Sequence, residues 1–122
     1  MASPPQGNSG SSVLAVDNRK NLTSSDGSDI ILLTVPSSGL VYEIGLRLLP
    51  NIISSGASVT YTFYWTENGS SLYYQLTATT GGVLQSNTIL IQPDANTKLE
   101  VAFYIASGST NSDVACVVKG IQ

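Results

Sequence analysis

Turn chemistry cuts this chain into short lengths, and that punctuation decides most of what it can become. The breaks read "SSDGSD" (24–29), "PSSG" (36–39), "PNIISSG" (50–56), "ENGS" (67–70), "TTGG" (79–82), "QPDANT" (92–97) and "SGSTNS" (107–112). Each supplies Gly, Pro, Asn or Asp where a backbone must turn or stop pairing. Between them no window keeps a helical period. Segments 13–17, 30–35, 40–49, 57–66, 71–79, 83–91, 98–106 and 113–121 read as strands. About eight strands in 122 residues predict an all-β fold, a single antiparallel β-sandwich of jelly-roll type. Residues 1–12, rich in Pro, Gly and Ser, read as an extended N-terminal arm, and 13–122 as the sandwich domain.

Two segments alternate cleanly. In 98–106, Leu99, Val101, Phe103 and Ile105 share one face; in 40–48, Leu40, Tyr42, Ile44, Leu46 and Leu48 do so. A period of two marks a strand buried on one side. Burying each large side chain is worth ~1.5–3 kcal/mol, so these inward sets can hold a fold without metal or disulfide.

The stretch "YWTENGSSLYYQL" carries the sharpest local signal. Asn-Gly between alternating apolar residues marks a two-residue hairpin turn. With Asn68-Gly69 as the turn, Glu67 meets Ser70, Trp65 meets Leu72, Phe63 meets Tyr74 and Tyr61 meets Leu76. That face also carries Val59 and is expected to be core. The other face pairs Tyr64 with Tyr73, Thr62 with Gln75 and Thr60 with Thr77. A tyrosine pair on a Thr/Gln background has three readings: a cross-strand pair that steadies the sheet, an anchor for a protein partner, or a platform for a sugar ring.

Catalytic equipment is sparse. The chain has no His, so the usual general base is missing. The eight carboxylates are scattered and no pair stands out. No nucleophile elbow, P-loop or dinucleotide fingerprint occurs. With one cysteine and no histidine, tetrahedral zinc has no ligand set. The expectation is a non-enzyme with no cofactor and no metal. "SSDGSD" alone offers clustered oxygens, and a weak calcium site at Asp26/Asp29 stands there beside a simple Asx turn. Cys116 lies in the apolar run "DVACVVKGIQ" and reads as a buried thiol.

Charge narrows the partners. Charged residues make up 11% of the chain and the net charge is −3, against about 25% charged in ordinary soluble domains. Duplex binding needs clustered cations, and Arg19, Lys20, Arg47, Lys98 and Lys119 are scattered, so nucleic acid is not an expected partner. Arg19-Lys20 reads as a solvated turn. No apolar run is long enough to span a membrane. "MASPPQGNSGSS" lacks the basic start and apolar centre of a signal peptide, so synthesis in the cytoplasm without a leader is expected. Asn21-Leu22-Thr23 and Asn68-Gly69-Ser70 match the glycosylation acceptor pattern, as chance allows in so Asn/Ser-rich a chain.

The arm "MASPPQGNSGSS" and the charge-poor β run from Val13 to Gln122 together resemble the small capsid decoration (cement) proteins and related virion proteins of tailed bacteriophages. The resemblance spans the whole chain. It implies a non-enzymatic protein on the surface of a virion, bound to the major capsid protein, often as a homotrimer, and bridging capsid subunits. Pro4, Pro5, Tyr64, Tyr73, Gln75 and Tyr104 are the expected interface residues. The alternative is a carbohydrate-binding module or adhesin head using Tyr64, Tyr73 and Tyr104. Against it, the sequence shows few carboxylate or amide groups beside the tyrosines.

Overall fold

The computed structural model describes residues 11–26 and 29–121. All its elements are strands: β1 (Ser11–Leu22), β2 (Ile30–Thr34), β3 (Val41–Ile53), β4 (Ser58–Glu67), β5 (Ser70–Ala78), β6 (Gln85–Ile91), β7 (Lys98–Ala106) and β8 (Thr110–Ile121). They form two antiparallel sheets, ordered β1-β8-β3-β6 and β2-β7-β4-β5. Only β4 and β5 follow one another within a sheet; every other connection crosses to the opposite sheet. This is the jelly-roll arrangement, two four-stranded sheets face to face.

All eight expected strands are present, several longer than the turn chemistry suggested. β3 runs through Pro50 to Ile53 and β8 begins at Thr110. Proline is tolerated there because β6 pairs only with Tyr42 to Leu48. The Pro50 carbonyl accepts from the Gly82 N–H at 2.6 Å, so the missing N–H falls on the side that β6 has left.

The core is the interleaved inner faces. Ile44, Leu46 and Leu48 of β3, Val59, Tyr61 and Phe63 of β4, Leu99, Val101 and Phe103 of β7, and Val114, Cys116 and Val118 of β8 are all buried. Three expectations about this face change. Leu40 precedes β3 and is exposed, lining a surface hollow with Leu14, Val41 and Ile121. Trp65 and Tyr74 are only half-buried and Leu72 is exposed. Burial declines toward the β4–β5 turn, so the tip of that hairpin sits at the rim. There the polar ends of the rings find partners: Trp65 Nε1 donates to Glu67 at 3.1 Å, and Asn87 Nδ2 donates to the Tyr74 hydroxyl.

The hairpin register is the expected one throughout, from Glu67↔Ser70 to Thr60↔Thr77. Asn68 and Gly69 both have positive φ, 53° and 75°, the requirement of a type I′ turn. Asp94 locks it: its two carboxylate oxygens accept from the Asn68 and Gly69 N–H groups, each at 2.8 Å. Asp94→Ala is expected to lose about 1.5–2 kcal/mol of stability in urea unfolding. That is the lower part of the range for bonds to a charged acceptor, since water can replace the carboxylate.

The interior also holds a polar cluster. Arg19 and Lys20 do not form the expected solvated turn; both lie within β1, where Lys20 is exposed while Asp17 and Arg19 face inward. Asp17 is 7% exposed. Its carboxylate accepts from Arg19 Nε at 3.0 Å, from Arg19 Nη2 at 3.0 Å and from the Tyr61 hydroxyl at 2.5 Å. Arg19 Nη1 donates to Asp26 at 2.7 Å, and Asp26 accepts from the Phe103 N–H at 2.7 Å. The cluster therefore ties β1 and the loop after it to β4 and β7 of the other sheet. Burial lowers the Arg19 pKa, but the bonds to Asp26 and Asp17 outweigh it and the net shift is upward.

Candidate functional site

The expected interface tyrosines lie on the outer face of the β2-β7-β4-β5 sheet. Three strands build it in register. Thr60 stands between Thr77 and Tyr104, Thr62 between Gln75 and Ala102, and Tyr64 between Tyr73 and Glu100. Thr66 and Ser71 complete the row nearest the turn. The alternation that sends Tyr61 and Phe63 inward necessarily sends these residues outward.

Tyr64 and Tyr73 do meet. Their ring centroids are 6.4 Å apart with planes tilted by 53°, within the range for aromatic pairs. Tyr73 is 62% exposed and offers a free ring face, while Tyr64 is half-buried. Gln75 lies one row in, where its side-chain oxygen is 3.4 Å from the Thr62 hydroxyl. Tyr104 is exposed on the same face but stands beside Thr60, four residues along β4 from Tyr64. At the rise of a strand that is roughly 13 Å, so the three tyrosines do not form one platform. Pro4 and Pro5 lie outside the described residues.

Beside the tyrosine pair the sheet dips into a shallow hollow of about 140 Å³, lined by Tyr64, Thr66, Ser71, Lys98, Glu100 and Asp29 among others. Two of these residues correct the sequence reading, which found carboxylates scarce near the tyrosines. Glu100 is the direct cross-strand neighbour of Tyr64. Asp29, just ahead of β2, comes alongside because Ile31 pairs with Glu100. Alternation in 98–106 already placed Lys98 and Glu100 on one face; their meeting with Tyr64 needed the β4–β7 register. The calcium reading of Asp26/Asp29 separates in the structure. Asp26 turns inward to Arg19 and Phe103, while Asp29 borders the hollow. Among the described residues no three His, Cys, Asp or Glu side chains gather as a metal site.

The opposite outer face, on the β1-β8-β3-β6 sheet, has a different character. Val13, Lys119, Glu43 and Leu90 form one row, and Val16, Val117, Gly45 and Thr88 the next. Val13, Val16 and Leu90 are 58%, 54% and 67% exposed. Gly45 lies in mid-strand, and a Cβ built on it would meet nothing within 4 Å. An ion pair on this face, Lys119 with Glu43 at 3.9 Å, is exposed and neutral as a unit.

No family model matches the chain, and no curated protein matches it. Solved structures match by fold. The Eiger TNF structure from S. frugiperda superposes with a TM-score of 0.52 at 8% identity, covering 90% of this chain and 92% of that one. The VP2 subviral particle of infectious bursal disease virus gives 0.50 at 14% identity, covering 89% of this chain but only 31% of VP2. The CBM22-1 xylan-binding domain of Xyn10C from Paenibacillus barcinonensis gives 0.49 at 10% identity, covering 93% and 97%. At these identities the likeness to the first two is one of fold alone.

Proposed function

We propose that this chain is a non-enzymatic structural protein of a virus particle, which binds the outside of a capsid as a homotrimer and steadies it by bridging capsid subunits. The observation that carries the reading is the apolar outer face of the β1-β8-β3-β6 sheet. Val13, Val16 and Leu90 expose more than half their surface there, next to the bare backbone of Gly45. These exposed apolar residues flank the paired Lys119 and Glu43 rather than scatter singly over the surface, and exposed apolar groups gathered on one face fit a contact with another molecule. A mid-strand glycine that its own fold does not require fits a close approach by a second backbone. Among the described residues β1 is also an edge strand of the sheet, and an edge strand offers N–H and C=O groups along its border.

Light scattering on the purified chain tests the self-association. The wild type is expected to have the mass of a trimer, and the double variant Val16→Asp/Leu90→Asp that of a monomer which circular dichroism still shows folded, since both positions face outward from the single subunit. A wild type that stays monomeric at every concentration, or a charged variant that still assembles, would overturn this part. The virion part is read in a density gradient of source material: the chain should sediment with intact particles.

A further inference from the structure

We propose that the hollow beside Tyr64 and Tyr73 binds a neutral pyranose unit of a glycan. The inference goes beyond the assembly reading and does not depend on it, because the hollow lies on the opposite face of the sandwich.

What singles the hollow out is where unengaged polar groups collect. The chain has eight carboxylates. Asp17 and Asp26 hold Arg19. Asp94 holds the hairpin turn, and Asp113 accepts from the Asn21 N–H and the Asn51 amide. Glu67 accepts from Trp65 Nε1 and the Gln92 N–H, and Glu43 pairs with Lys119. Among the described residues only Asp29 and Glu100 have no such partner, and both border this hollow. Lys98 also borders it and joins neither of them in an ion pair. The hydroxyls of Thr66 and Ser71 complete the rim. Elsewhere this structure consistently engages its carboxylates, so two left open beside an exposed aromatic pair have the form of a site awaiting a ligand with hydroxyl donors.

A sugar ring presents those two chemistries at once. Its C–H face packs on an aromatic ring; Tyr64 in the lining supplies one, and exposed Tyr73, tilted beside it, extends that surface past the edge of the hollow. Its equatorial hydroxyls donate to carboxylates, and charge-assisted bonds of this kind are the strong ones. Glu100 and Asp29 would accept them, while Lys98 donates to a ring or hydroxyl oxygen. The volume of about 140 Å³ is below the roughly 300 Å³ at which pockets begin to enclose a ligand, so one unit of a longer chain is held while the rest stays in solvent. Two carboxylates against one ammonium make the hollow net negative, which disfavours uronic and sialic acids and selects neutral sugars.

A glycan array probed with fluorescent protein tests this, using wild type and the Val16→Asp/Leu90→Asp background so that assembly and sugar binding are scored apart. Binding to glycans with neutral hexopyranose ends is expected in both. Tyr73→Ala should weaken it at least about tenfold, and Glu100→Gln should weaken it as well. Tyr104→Ala, on the same face but out of reach, should leave it unchanged. Circular dichroism confirms folding of these surface variants. Absence of glycan binding, insensitivity to Tyr73→Ala, or preference for acidic glycans would overturn the proposal. So would a Tyr73→Ala variant that loses oligomer mass without any glycan binding in the wild type, which would assign this face to subunit contact.

Discussion

Asp17→Ala is expected to remove about 3–5 kcal/mol of folding stability, the range found when one partner of a buried pair is deleted. For a chain of this size that lowers the melting temperature by roughly 4 °C per kcal/mol, or about 12–20 °C in all. The effect is large because the carboxylate serves several donors at once. Without it, two Arg19 N–H groups and the Tyr61 hydroxyl lose their acceptor inside the sandwich. Asp26 still holds Arg19 Nη1, so the guanidinium stays in place with two of its three bonded nitrogens unmet. Tyr61→Phe deletes one bond and should cost about 1.5–3 kcal/mol. A cycle of Asp17→Asn, Tyr61→Phe and the double variant should show a clear coupling energy. Losses below about 1 kcal/mol for Asp17→Ala would mean that water reaches the cluster and that it does not hold the two sheets together.

Alkaline pH should unfold this protein early. Burial pushes the Cys116 thiol from its ordinary 9.0 up to about 12, with the negative charge of Asp17 adding to the effect. The Tyr61 phenol is raised far above its ordinary 10.0, by burial first and then by its bond to Asp17. Both groups are neutral when protonated. Above the ordinary pKa the unfolded chain has released the proton and the folded chain still holds it, so the folded state binds more protons. Stability therefore falls as pH rises. The contribution is fully present below pH 9 and drains from about pH 9 toward 12 for the thiol, and from about pH 10 upward for the phenol. Each group removes about 1.4 kcal/mol per pH unit inside its window. Melting temperatures taken in half-unit steps from pH 7 to 11 should be level at first and then drop steeply. Cys116→Ala should flatten the curve between pH 9 and 10, and Tyr61→Phe above pH 10. A wild-type curve that stays level to pH 11 would show that neither group is desolvated as described.

The sequence was most legible where local chemistry leaves little choice. Asn68-Gly69 pins the β4–β5 register, and one fixed turn then places Tyr61 and Phe63 inside and Tyr64 and Tyr73 outside. Turn residues likewise marked every strand, although Pro50 hid the extension of β3, because its tolerance depends on where β6 stops. The Asp17 cluster was not legible. β1 carries Asp17 and Arg19 on its inner face, and inward charge is readable only once Tyr61 and Asp26, distant in sequence, are known to satisfy it. Leu40 and Leu72 kept the alternation of their strands and still came out exposed, since period alone does not say where the facing sheet ends. The hollow beside Tyr64 depended on long-range register too. Glu100 is far from the tyrosines in sequence and becomes their neighbour only through the β4–β7 pairing.

The pairing of β1 with β8 has a consequence for how the chain is made. Ser11 lies against Ile121, and among the described residues β8 is the only strand that β1 pairs with. Such a topology has high contact order, and chains of this kind fold slowly because distant segments must meet before any of them is rewarded. During synthesis β1 emerges before the rest of the sandwich and has no partner in its sheet until β8, the last of the eight strands, has followed. Through that interval Val13, Leu14 and Val16 travel on an unpaired strand beside other nascent chains. A strand in that position can be claimed by the β8 of another copy as readily as by its own. Exchange of first strands between neighbours is therefore the characteristic error of this architecture when many copies are made at once.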